Sequence, residues 1–228
     1  MTRLRREALT DTVLLSLSFA GGALDVTSYL VFGKIFVANM TGNTVLLGAA
    51  LVDGLDTHAL RAIIALGGYC LGTFIGALLI PAGGPPWPRS ARLALSVEAL
   101  VLVAVLIVWS LGGLHRVGYE LIALGGVVMG LQSAAGLASG VSGVNTTYMT
   151  GTLTNALARL ARRLRPGPSP RRGPALSGSA WITYGVGALI GAFAVKSWHS
   201  AVLAIPLAII AAVCLCAWMQ SEHEEEAR

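Results

Sequence analysis

Asp25 is an acid inside a run of otherwise mostly apolar residues that extends from Val13 to Phe32. A carboxylate near the middle of a membrane span costs roughly 2.5–3.5 kcal/mol, so it is expected to face a cavity or a partner. Contact with an ion, a proton or a solute is one role; structural hydrogen bonding is the other. Two related phrases offer further chemistry: Asn39-Met40-Thr41-Gly42-Asn43 and Tyr148-Met149-Thr150-Gly151-Thr152. A Thr at the start of a short helix can accept hydrogen bonds from free backbone N–H groups, and the following Gly lets backbone approach a ligand. The positive end of the helix dipole then points into the membrane, toward an anionic or polar group. The blander role for the same residues is helix capping at an interface.

These residues define a candidate substrate- or ion-binding set: Asp25, Asn39, Thr41, Gly42, Asn43, Gln132, Asn145, Thr150, Gly151 and Thr152. Partners for Asp25 are expected among Asn39, Asn43, Asn145 and Asn155. Glu98 is a second candidate acid, closer to the end of its span and expected to reach water.

The two phrases are followed, in the same order, by a second pair. Tyr69-x-x-Gly72-x-x-x-Gly76-Ala77 is matched by Tyr184-x-x-Gly187-x-x-x-Gly191-Ala192. Two matches in one order point to duplication of a unit, about 12–111 and 118–219, within a single membrane domain. In membrane proteins such symmetry places binding sites between the halves.

What must position these residues is a set of membrane helices. The chain is 55% hydrophobic and only 12% charged, against about 25% charged in soluble domains. An integral membrane protein is the class that fits. The net charge of +5 does not point to nucleic acid, because the arginines sit in short segments between apolar runs, as the positive-inside rule describes. Cys70, Cys214 and Cys216 lie in apolar runs without a CxxC and are expected to be buried small hydrophobes, not a disulfide. The four histidines lack metal-ligand spacing, so neither a metal nor another cofactor is expected. Arg3, Arg5 and Arg6 precede a retained first span and are expected to hold the N-terminus in the cytoplasm.

Taking about 20 apolar residues per crossing, full spans are expected at Thr12–Phe32, Ala59–Ile80, Leu93–Leu111, Gly118–Ala138, Leu176–Val195 and His199–Met219. The segments Ile35–Val52 and Val144–Leu160, which carry the Met-Thr-Gly phrases, are short for a crossing. If they cross, there are eight spans and the halves run parallel; if they dip and return, there are six and the halves are inverted. Either way twelve of the 16 Lys and Arg residues lie inside and four outside, so the positive-inside rule does not choose. The Thr-Gly breaks favour dipping, hence an all-α polytopic fold of six full helices and two short re-entrant ones. A Pro- and Gly-rich linker runs from Pro81 to Pro88, and a basic loop at 159–174 is expected in the cytoplasm, as is the C-terminus. On the first span Ser18, Gly21, Gly22, Asp25, Ser28 and Tyr29 form one stripe. Gly125, Gly126, Met129, Gln132, Ser133, Gly136, Ser139 and Gly140 form another on the fourth. Both should face the protein interior.

The run Gly22-Ala23-Leu24-Asp25-Val26-Thr27-Ser28-Tyr29-Leu30, then Phe32-Gly33 and Phe36 to Asn43, resembles the signature of the YoaK-like bacterial membrane proteins. Met149-Thr150-Gly151 and the Tyr184 segment fit the same pattern, so the resemblance covers nearly the whole chain. It implies a bacterial inner-membrane protein and leaves the activity open.

The function expected from these features is a small secondary transporter or permease for a small polar or anionic solute, with its site between the repeats near the bilayer midplane. Its partners are then the lipid bilayer and a small-molecule or ion substrate, with a homo-oligomer as a further option and nucleic acid excluded. A non-catalytic scaffold or partner subunit is the alternative. An enzyme is not expected, since no nucleophile set, His pair or metal spacing is present.

Overall fold

The computed structural model describes residues 3–53, 57–81, 87–112, 118–163, 174–198 and 203–225. They form the helices α1 (Arg3–Val31), α2 (Met40–Asp53), α3 (Thr57–Leu79), α4 (Arg89–Gly112), α5 (Tyr119–Ala138), α6 (Met149–Arg163), α7 (Pro174–Trp198) and α8 (Ala204–Glu225). The fold is all-α and polytopic. Five helices, α1, α3, α4, α5 and α7, are long and apolar enough to cross a membrane. In α8 the apolar stretch Ala204–Met219 is shorter, and the expected start of that span at His199 lies outside the described residues, as does most of the basic loop. Two helices begin a full turn or more before the expected limit, α1 at Arg3 and α4 at Arg89. Arg, Glu and Leu are good helix formers, so the helical backbone continues past the apolar limit.

The two leftover segments are not helical throughout. Helix begins only at Met40 and at Met149, after irregular stretches in which Gly33 (φ 90°), Lys34 (φ 66°), Gly140 (φ 71°) and Gly143 (φ 80°) adopt left-handed conformations. Such residues reverse the chain. Both reversals bring the chain back to the end it left. His58 Nδ1, at the start of α3, lies 3.3 Å from Gly33 O, just past the end of α1. Ser177 Oγ, at the start of α7, donates to Gly143 O at 3.0 Å, just past the end of α5. Between these points the chain reaches inward: Ala38 N meets Asp25, about 9 Å back along α1 at ~1.5 Å per residue. So α2 and α6 are half-helices that start inside the protein and run outward.

The most extensive packing joins α1 to α7 and α3 to α5. Small residues permit it. A Cβ on Gly22 would strike the Tyr184 carbonyl, and one on Gly187 the Phe19 carbonyl. Contacts climb in register, Gly187 on Phe19 and Gly191 on Ala23, so α1 and α7 are parallel; Gly68 on Ala123 and Gly76 on Ala134 show the same for α3 and α5. Because α3 starts where α1 ends, α5 runs opposite to α1, and the second four helices run against the first four. Adding or subtracting four in each helix number exchanges α1–α7 with α3–α5, α2–α3 with α6–α7 and α1–α8 with α4–α5, and leaves α4–α8 unchanged.

Ser18, Gly21, Gly22, Asp25 and Ser28 on α1 are buried, as are Gly126, Met129, Gln132, Ser133 and Gly136 on α5. Tyr29, Gly125 and Ser139 are half-buried and Gly140 is exposed, because the last two fall where α5 ends. Leu78, Leu100, Leu189 and Phe193 are among the large apolar side chains on the outside, the surface that lipid solvates. Cys70 and Cys216 share that outer surface and only Cys214 is buried. This corrects the expectation of three buried cysteines: an apolar residue on a membrane helix is equally at home facing lipid.

Candidate functional site

The connections into α2 and α6 are held by matching clips. The buried Asn43 side chain accepts from Phe36 N at 2.9 Å and donates to Phe36 O at 2.6 Å. The buried Thr152 hydroxyl accepts from Asn145 N at 3.2 Å and lies 3.2 Å from Asn145 O and 3.0 Å from Tyr148 O. A side chain one turn into each half-helix thus fixes the stretch before it. Asn43 and Thr152, expected to line the site, serve as these clips.

The cap of α2 is Asn39, whose Oδ1 accepts from Gly42 N at 3.1 Å; Asn is among the best capping residues. Thr41, expected in that role, lies two residues past the cap and leaves its side chain exposed at the cavity described below, as does Thr150 in α6. Ahead of each half-helix two backbone N–H groups turn inward. Those of Ala38 and Asn39 donate to Asp25 Oδ1 at 2.7 and 3.3 Å. Those of Thr147 and Tyr148 donate to Asn145 Oδ1 at 3.0 and 3.3 Å.

Among the described residues Asp25 takes its side-chain partner from α7: Tyr184 OH donates to Oδ2. Of the asparagines expected as partners Asn39 is one, through its backbone N–H, while Tyr184 is not among the expected partners. Asn39 contributes only its backbone, Asn43 is engaged with Phe36, and Asn145 receives its own N–H pair. Asp25 itself is 3% exposed, so it forms part of the wall and not the surface of the site. Its counterpart is weaker. Tyr69 OH lies 3.0 Å from Thr147 Oγ1, which donates to Ser133 Oγ at 3.1 Å, so Ser133 on α5 stands where Asp25 stands on α1.

Between the two half-helix starts lies a cavity of about 310 Å³. Asn39, Met40 and Thr41 line it from α2, Tyr148, Met149 and Thr150 from α6, and Tyr69 and Tyr184 from the two long helices; Ala38 and Thr147 complete it. The first N–H groups of a helix have no intrahelical acceptor; at α2 those of Met40 and Gly42 are taken by Ala38 O and Asn39 Oδ1, and what each half-helix start brings to this cavity is the positive end of its dipole. None of the residues lining it is charged. Phenol and threonine hydroxyls, an amide and two thioethers surround a space suited to a small hydrogen-bonding solute. Asn145, Gly151 and Thr152 line a second cavity of about 350 Å³ beside the α5–α6 connection. Gly42 packs under the Phe36 ring and Gly151 under the Tyr148 ring.

Gln132 and Glu98 form a separate cluster. Glu98 is fully buried, which corrects the expectation that it reaches water: α5 and α8 both pack on α4. The Gln132 amide lies between Glu98 Oε1, at 2.7 Å, and Thr146 Oγ1, at 3.2 Å.

Of the residues singled out in the sequence, Asn39, Thr41 and Thr150 meet at the central cavity and Asp25 backs it. The set omitted Tyr69, Tyr184, Thr147 and Ser133. Both tyrosines open the second repeated phrase, three residues before a packing glycine. A hydroxyl on a glycine face requires a partner in a neighbouring helix, and that was the available signal.

The chain matches the family model described as "Protein of unknown function (DUF1275)" over residues 13–216. It is 31% identical over 225 residues to the UPF0700 transmembrane protein YoaK of Bacillus subtilis (strain 168), covering 96% of this chain and 98% of the other. No solved structure matches it.

Proposed function

This chain belongs to the DUF1275 family and is a multi-pass membrane protein, and on that premise we propose that it is a small secondary transporter or permease. Its solute is small and polar or anionic, held between the starts of α2 and α6. The observation that carries this is the roughly 310 Å³ cavity onto which both half-helices open. Half-helices whose positive ends meet at a shared site, on segments of opposite direction, are the arrangement by which secondary transporters bind solutes near the midplane. In this reading the halves arose by duplication and inversion. The long helices with α8 make six crossings of the bacterial inner membrane, with both termini in the cytoplasm, and no reaction is catalysed.

The test begins with a panel of small metabolites screened for ligand-dependent rise in melting temperature, since a ligand of the folded state alone stabilises it. The solute found is then used for uptake into proteoliposomes. Thr150→Trp, which fills the cavity, is expected to reduce uptake more than tenfold, a change of about 1.4 kcal/mol or more. Leu189→Trp, on the exposed outer face of α7, is expected to leave uptake unchanged. A scaffold is the second reading, favoured by the way Asp25 with Tyr184, and Ser133 with Thr147 and Tyr69, satisfy one another. A blank panel, with Thr150→Trp fully folded and unaltered in every assay, would select it.

A further inference from the structure

Glu98 is a buried acid that the central cavity does not use. It lies on α4 against α5 and α8, fully shielded from solvent. The groups facing it are few. From α5 comes the neutral amide of Gln132. From α8, which packs on α4, the buried thiol is that of Cys214. Arg92, further back on α4, is turned to α8 instead, with its guanidinium 4.9 Å from the centre of the Trp218 ring and bonded to Trp87 O at 3.4 Å. Among the described residues no cation is paired with this carboxyl.

A carboxylate can only accept hydrogen bonds, whereas a carboxylic acid also donates one; a primary amide presents an acceptor on one side and donors on the other. The Gln132 amide therefore has two satisfied orientations. With Glu98 ionised, Nε2 donates to Glu98 Oε1 at 2.7 Å and Oε2 at 3.3 Å, and the amide oxygen accepts from the Thr146 hydroxyl at 3.2 Å. With Glu98 protonated, its O–H donates to the amide oxygen across the same 2.7 Å gap, and Nε2 donates to Thr146 Oγ1 at 3.2 Å. The Thr146 hydrogen is then released for another acceptor. The side-chain positions are identical in the two states; only the proton and the amide differ.

We propose that Glu98 is a proton-binding site whose occupancy is read by the Gln132 amide and passed to Thr146. Loading is a simple transfer: the carboxylate takes a proton from hydronium, one O–H bond forms on Glu98, one breaks in hydronium, and water leaves. Thr146 directly precedes Thr147, which lines the central cavity and binds Ser133 and Tyr69. Proton occupancy thus reaches the cavity wall through one bond reversal and one residue of backbone. The coupling role rests on the transport proposal above, whereas the proton site itself does not.

Infrared difference spectra of the purified full-length protein in lipid nanodiscs, recorded between alkaline and acidic buffer, test this without any solute. All carboxyls contribute on acidification, so the reading is the difference between variants: wild type and Asp25→Asn are expected to share a protonated-carboxyl C=O band that is missing from Glu98→Gln. Gln132→Met, which keeps the volume but removes the amide, should shift that band to higher frequency, because the acid has lost its hydrogen-bond partner. Glu98→Asp keeps a titrating carboxyl and guards against misfolding of the Gln variant. A band that ignores pH, that survives in Glu98→Gln, or that Gln132→Met leaves in place overturns the proposal. None of these outcomes bears on solute-dependent melting, which tests the cavity separately.

Discussion

At the scale of single residues, Asp25 joins three donors from two other segments: the Ala38 and Asn39 N–H groups and the Tyr184 hydroxyl. Removing the acceptor strands buried donors, each worth about 1–3 kcal/mol. Asp25→Ala is therefore expected to lower unfolding free energy in detergent by about 2–5 kcal/mol. Asp25→Asn keeps an acceptor for the two N–H groups and is expected to cost about 1 kcal/mol; equal losses for the two variants would contradict the bonding described. The importance of Asp25 was legible in the sequence because a carboxylate in an apolar run has few physical options. Its partner was not legible. Helical periodicity says which face a residue occupies, not which hydroxyl on a distant helix reaches it, and Tyr184 is 159 positions away. Glu98 misled for a related reason: distance from a helix end predicts water only where no neighbouring helix covers that face.

At the scale of elements, the glycines separate into those that carry helix contacts and those that do not. Gly22 and Gly187 sit against the opposing backbone in the α1–α7 pair, whereas no atom lies within 4 Å of a Cβ added at Gly67 or Gly185. Gly22→Ala and Gly187→Ala are expected to destabilise by about 1–3 kcal/mol through overpacking. Gly67→Ala and Gly185→Ala should be neutral or stabilise by up to about 1 kcal/mol, as Ala favours helix over Gly. Thermal unfolding of the four variants checks the division. The GxxxG spacing showed in the sequence that these helices pack closely, but it cannot show that α1 takes α7 and α3 takes α5. Likewise the Met-Thr-Gly phrases marked where short helices begin, while the cap proved to be Asn39, because capping depends on the residue whose backbone leaves the helical conformation.

At the scale of the whole molecule, the helix pairings exchange between the first four and last four helices, and the two sets interleave instead of forming separate bundles. The recurring phrases fall at matching places in this exchange, Met40 and Met149 opening α2 and α6 and Tyr69 and Tyr184 lying on α3 and α7. The clips at Asn43 and Thr152 and the paired N–H groups near Asp25 and Asn145 are the same device with different side chains, which no residue-for-residue comparison reveals. The transport proposal requires that the two half-helix starts share one interior, hydrated cavity. Its most direct test is thiol labelling in a variant with Cys70, Cys214 and Cys216 replaced and single cysteines placed at Thr41, Thr150 and Leu189. Thr41 and Thr150 are predicted to react with a water-soluble maleimide in folded, membrane-embedded protein, and Leu189, facing lipid, to remain inert. Inert cysteines at both Thr41 and Thr150 in folded protein would contradict a hydrated cavity at the half-helix starts.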